Sequence, residues 1–363
     1  MLNLDNVMRF GLIIIAFLAA NLSFGQSGYQ LDFKIQGLKD TTVYLAYYYG
    51  ESTFVRDTAH TSSGSFSFDG KTPLRQGVYF LVLNKTRLLD FVVGQSQQFS
   101  MESDTSDLIG KMVIRGDEDN TLFFDNMRFN MARHTEAEPF VKIIQDSTVS
   151  EEAKKEARDQ FARINDKVNE YQENIISKHP ATITARLLKA NKPVEIPEPP
   201  KLADGSIDST FQLRWYREHF FDNFDLADDA LIQMPRPIYQ QKINEYLDRL
   251  YIQHPDSLWR GIQYIVNKAK KNQETYKYAV WVCVLKYQQP EIMGLDELYV
   301  DLYDAYFETG EMNFWANDKL RKNLKDQADR FRKSLVGKQG ADLIMQDVNL
   351  KPRKLYDIKN KST

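Results

Sequence analysis

Catalysis and metal binding need groups that converge, and this chain has few of the residue types that supply them. Its thiols and imidazoles are one cysteine, Cys283, and five histidines: His60, His134, His179, His219 and His254. Each histidine falls in a different predicted element, and no two stand at the short spacing that seats a zinc ion on one turn. His179 and His254 both precede a proline, which predicts roles at helix ends. One thiol cannot form an intramolecular disulfide, a C-x-x-C redox pair or a cysteine metal cluster. Flanked by Val280, Val282, Val284 and Leu285, Cys283 reads as a small buried hydrophobe. The carboxylates of "DNFDLADD" (residues 222–229) read as a polar, helix-capping turn. Glu297, Asp301 and Asp304, at steps of four and three, share one predicted helix face and read as a solvated stripe. "LADGSID" lacks the alternating acidic ligands and closing glutamate of a calcium loop. There is no G-x-S-x-G elbow, phosphate-cradling glycine loop or H-E-x-x-H helix. These patterns predict no catalytic, cofactor-binding or metal-binding residues, and no cofactor.

The composition is that of a globular protein. At 363 residues, 42% hydrophobic and 27% charged, the chain is long enough for two or three domains with cores of their own. Its 47 basic and 50 acidic residues leave a net charge of −3 without a basic stripe, which argues against nucleic acid as a partner. The N-terminus, "MRFGLIIIAFLAANLSFGQ", sets Arg9 before an apolar run from Phe10 to Ala20, with Ser23 and Gly25 ahead of Gln26. That order predicts a secretory signal peptide over residues 1–25 and a periplasmic or cell-envelope protein with no stable membrane span after cleavage. Envelope proteins or peptides are the expected partners.

Behind the leader, residues 26–118 predict a β-sandwich domain. "YQLDFKIQ" alternates Leu31, Phe33 and Ile35 with polar residues, the period of a half-buried strand. Short strands follow every ten or so residues, separated by Gly, Asn and Asp turns, and "GVYFLVLN" is apolar on both faces, as a central strand is. Residues 119–195 predict a helical segment opened by the capping side chains of Asp117 to Asn120. Its clearest helix runs from Glu151 to Lys178, with Ser150 as N-cap and a stripe from Ala153 to Ile175. Pro193, Pro197, Pro199 and Pro200 then form a stiff connector. Residues 196–336 predict a helical bundle domain. "STFQLRWYREHFFDNF" is aromatic on several sides and reads as buried, and "TYKYAVWVCVLKY" reads as the central helix. The fold class is α+β multidomain: an N-terminal antiparallel β-sandwich followed by an α-helical bundle.

The order of segments carries a resemblance. "GYQLDFKIQGLKDTTVYLAYYYGESTFVRDTAHTSSGSFSFDG" resembles the N-terminal β-domain that precedes thioredoxin-like domains in exported Bacteroidota proteins. "RWYREHFFDNFDLADDALIQMP", "YLDRLYIQHPDS" and "PEIMGLDELYVDLYDAYFETGEMNFW" resemble the helical domain of unknown function that follows it. The tail "VGKQGADLIMQDVNLKPRKLYDIKNK" resembles the opening of a thioredoxin-like domain of the thiol-disulfide oxidoreductase type. Residues 337–363 are therefore expected to be the start of a thioredoxin-like domain absent from this chain, and poorly ordered or docked on the helices. The resemblance implies a non-catalytic region that positions a redox domain or binds its clients. The alternative is a stand-alone envelope module for a peptide, glycan or protein partner. Asp57-Thr58-Ala59 and Asp256-Ser257-Leu258 also resemble O-glycosylation tripeptides of bacterial envelope proteins.

Overall fold

The computed structural model describes residues 28–202, 204–339 and 342–357, so the expected leader lies outside the described residues. The chain divides into two compact units. The first holds residues 28–193 together with Ala230–Pro237, and the second holds Val194–Asp229 and the chain from Ile238 onward.

In the first unit, alternation along the sequence becomes two packed sheets. Strands β1 (Tyr29–Gln36), β4 (Ser65–Gly70), β7 (Gln98–Asp104) and β8 (Val113–Arg115) form one, in the order β4-β1-β7-β8. Strands β2 (Thr42–Tyr49), β3 (Ser52–His60), β5 (Gly77–Leu83) and β6 (Thr86–Val93) form the other, in the order β3-β2-β5-β6. One pairing departs from the antiparallel expectation: β7 returns beside β1 running parallel to it. The chain leaves to build the second sheet between the two, and such a return can place a strand in either direction.

Every second residue of β1 points inward. Leu31, Phe33 and Ile35 are buried, and Phe33 stacks on Phe66 with ring centroids 5.2 Å apart. Phe33 also meets Phe91 of the facing sheet edge-on at 5.4 Å. Burying each such ring stabilises the fold by about 1.5–3 kcal/mol. β5 is buried on both faces from Gly77 to Leu81, as its unbroken apolar run requires. Its first residue must be glycine. Gly77 has φ +146°, and a Cβ there would lie 2.5 Å from Cβ of Gln233. Gln233 belongs to Ala230–Pro237, which is laid against this end of the sheet: Val78 N donates to Gln233 O at 2.8 Å and Gly50 N to Ile232 O at 3.0 Å.

Three helices complete the unit: α1 (Glu118–Gln145), α2 (Glu151–Lys178) and α3 (Ile183–Asn191). α2 has the predicted bounds, with Ser150 accepting from Ala153 N. Its buried residues, Ala157, Ile164 and Ile175, lie on the predicted stripe, and the stripe packs on α1, where Phe129 stacks on Tyr171 at 4.1 Å. α1 begins at a buried polar knot. Asp117 caps it by accepting from Asn120 N. The Asn120 side chain accepts from Val92 N at 2.8 Å and donates to Val92 O at 2.7 Å. The carboxylate of Asp119 accepts from Ile183 N at 2.6 Å and from Thr184 N at 3.0 Å, in the first turn of α3.

The second unit is helical: α4 (Phe211–His219), α5 (Ile238–Leu250), α6 (Pro255–Ala269), α7 (Gln273–Tyr287), α8 (Asp296–Leu302) and α9 (Asp318–Arg332), with a π-helical stretch at Tyr303–Glu308. α7 is the most enclosed, burying nine of its residues, Cys283 among them. α4 departs from expectation, because none of its residues is buried. The buried aromatics of that stretch are Phe220 and Phe224, just past the helix end, so the core is filled by the turn and the helix itself stays at the surface. The tail forms a hairpin of β9 (Ile344–Gln346) and β10 (Pro352–Lys354), all six residues exposed. It is paired, not irregular, and it buries no face.

Asn120→Ala leaves the N–H and C=O of Val92 buried without partners. The expected cost is about 2–4 kcal/mol, read as a lower urea midpoint at unchanged slope; a loss below 1 kcal/mol would contradict the role given to Asn120.

Candidate functional site

The histidines stay apart. In the first unit, His60 lies on β3 with Nδ1 3.2 Å from Thr42 Oγ1, and His179 caps α2 with Nδ1 2.9 Å from Glu118 Oε1. His134 sits within α1. In the second unit, His219 stacks on Trp215 at 4.2 Å and pairs with Asp222 at 2.7 Å. His254 is the N-cap of α6. Among the described residues no three His, Cys, Asp or Glu side chains converge as a metal-binding group. Within 222–229, Asp225 accepts from Ala227 N, a turn-capping contact.

The acidic stripe of α8 is less solvated than its spacing predicts. Asp301, two residues before the π-helical stretch begins at Tyr303, is partly buried; burial pushes its carboxyl up to about 6, and the charges of Glu297, Asp304 and Asp256 add to the shift. Asp304 pairs with Arg332, and Glu311 accepts from Lys270 at 2.7 Å and from the Tyr276 hydroxyl. Cys283 is fully buried and its thiol is pushed up to about 12 by that burial. Of the two envelope-type tripeptides, Thr58 is exposed and Ser257 is buried.

A shallow depression on the outer face of the first sheet is lined by Asp32, Lys34, Ser65, Ser67, Ser100 and Glu102. These residues alternate with core residues on three neighbouring strands, and Glu102 already pairs with Arg115 at 2.5 Å. This is the solvated side of a half-buried sheet.

The arrangement with most chemistry to spare is the free edge at β3. β3 is the outermost strand of its sheet, and Ser52 to Arg56 are all exposed. Val55 pairs with Ala46 and Asp57 with Leu45, leaving Arg56 as an extra residue, a β-bulge. The bulge brings Arg56 over the Tyr29 ring, 5.9 Å from its centroid. Asp57 accepts from the Tyr29 hydroxyl at 2.8 Å and from Thr58 N at 2.7 Å. Burial and the Asp57 bond raise the Tyr29 hydroxyl to about 12, so it stays a donor. Phe54, 47% exposed, stacks on Tyr47 at 5.7 Å, and Tyr47 in turn lies 5.9 Å from Tyr79. An aromatic bed thus backs an exposed guanidinium and a row of backbone groups. Sequence reasoning missed this edge, though a signal was present. In "TFVRDTAH" two apolar residues and then two charged ones stand side by side, which breaks the period of two.

Comparison with known protein families matches each part of the chain separately. Residues 29–123 match DUF4369, a domain of unknown function. Residues 150–329 match DUF5106, also a domain of unknown function. The first match covers the eight strands and the start of α1, and the second runs from the N-cap of α2 into α9. No curated protein and no solved structure matches the chain.

Two outcomes follow from the buried groups. Cys283 should resist a thiol reagent in the native chain and react on unfolding; rapid native labelling would contradict its burial. Because Asp301 titrates above the ordinary carboxylate range, its contribution to stability is full below about 4 and is lost as pH rises through about 6. Asp301→Asn should flatten the stability profile across that window and raise Tm at pH 7, and an unaltered profile would contradict the assignment.

Proposed function

We propose that this chain is the non-catalytic region of an exported thioredoxin-like protein, where it positions a redox domain or binds that domain's clients. The observation that carries the reading is the tail. β9 and β10 leave Ile344 and Met345 65% and 68% exposed, with Val348 in the turn fully exposed. Two strands alone cannot bury an apolar face, and a sheet needs more strands or a covering helix to be stable. The segment order, which resembles that of exported thioredoxin-like proteins, supports this reading. The thiol chemistry of such a protein would have to come from elsewhere, since a buried, protonated Cys283 offers no thiolate.

The reading frame beyond codon 363 tests it directly. A C-x-x-C motif is expected within one domain length, on the order of 100–150 residues; an open frame of that length without the motif would overturn the proposal. Insulin reduction by the present chain should be at background, and turnover would count against a non-catalytic role.

A second reading, a stand-alone envelope binding module, is favoured by the free β3 edge with its exposed Phe54 and Arg56. Both readings give the chain a binding surface; they differ in whether a redox domain is its neighbour.

A further inference from the structure

We propose that the Ser52–Val55 half of β3 is a docking edge for one short, extended peptide carrying a carboxylate side chain, which Arg56 pairs. This rests on the reading of the chain as a binding module and names its partner class.

The sandwich treats its edges unequally. β6, the far edge of the same sheet, is closed: Asn120 fills the place of a neighbouring strand at Val92, and α1 and α3 pack beside it. In the other sheet the outer strands are shorter, β8 of three residues and β4 of six. β3 is nine residues long, and among the described residues no strand pairs with its outer side. Edges left open in this way invite another chain, and proteins commonly guard them with bulges and charges. Here the guard covers only one half. Past the bulge, Asp57 binds the amide of its own neighbour Thr58, and its other oxygen is taken by Tyr29. Before the bulge, from Ser52 to Val55, no side chain bonds to the edge among the described residues.

The bulge also limits what can be added. It interrupts the ladder after about four residues, too short a run to template indefinite stacking but long enough to pair with one extended peptide. Charge selects the peptide. Arg56 is exposed, its guanidinium rests on the Tyr29 ring, and among the described residues no carboxylate lies within ion-pair distance of it. The nearest acid in sequence, Asp57, has both oxygens engaged. An incoming carboxylate therefore meets an unspent cation, and an apolar neighbour in the peptide meets Phe54.

The test uses the isotope-labelled chain and two blocked octapeptides of alternating threonine and valine, one with a central aspartate and one with a lysine in its place. The aspartate peptide is expected to shift and protect amides in Ser52–Val55 and to bind about fivefold more tightly than the lysine peptide, the size of one partly exposed ion pair. Arg56→Glu, at an exposed position, should reverse that order. Equal affinity for the two peptides, or no shift at millimolar concentration, would overturn the proposal. Shifts confined to another surface would overturn this edge as the site while leaving the binding-module reading standing.

Discussion

A single amide side chain acts as the missing strand of the β-domain. Asn120 gives Val92 the acceptor and the donor that a neighbouring strand would give, and so ends the second sheet at β6. The same turn fixes the helices. Asp117 holds Asn120 in place through its amide at 2.6 Å, and Asp119, the residue before Asn120, caps α3 from a position 64 residues earlier in the chain. These side chains are buried, where an unpaired polar group costs much more than in water. The sheets, the α1–α2 hairpin and α3 are therefore one cooperative assembly, and losing the knot would open the edge and release two helices together. Burial pushes the Asp117 carboxyl up, while its bonds to Asn120 oppose that shift.

The second unit relies on aromatic packing. Tyr246 lies 4.8 Å from Phe221 and 5.3 Å from both Phe220 and Tyr251, and Tyr239 sends its hydroxyl to Leu226 O. Such ring pairs contribute about 0.5–1.5 kcal/mol each beyond the area they bury. Some of their hydroxyls find partners locally, as Tyr246 does with Tyr251 at 3.1 Å, while that of Tyr287 is buried with none among the described residues. Ion pairs line its rim, among them Lys286 with Asp248 and Arg332 with Asp329. Surface pairs of this kind add little to stability.

Local physics made much of this legible. The period of two in β1, the unbroken apolar run of β5 and the Ser150 cap of α2 each depend on residues a few positions apart, and each reads correctly from the sequence. What was hidden is non-local. Asp117 to Asn120 look like an ordinary helix start, and nothing nearby in the sequence says that Asn120 completes a sheet 28 residues away. "ALIQMPRP" gives no sign that it lies against β5, and the parallel return of β7 depends on the path of the whole chain. In α4 aromatic content does not mean burial: Trp215 stacks on His219 at a surface helix. At the candidate site the broken alternation of "TFVRD" was visible, but its meaning, a bulge that turns Arg56 toward Tyr29, needed the partner strand.

Native-state hydrogen exchange at Val92, in the intact chain and in Asn120→Ala, tests the closure of the edge most directly. Val92 is expected to exchange only through global unfolding, among the slowest amides of the β-domain, and to join the fast set once Asn120 is replaced. A Val92 amide that exchanges rapidly in the intact chain, or that stays slow without the Asn120 side chain, would contradict it.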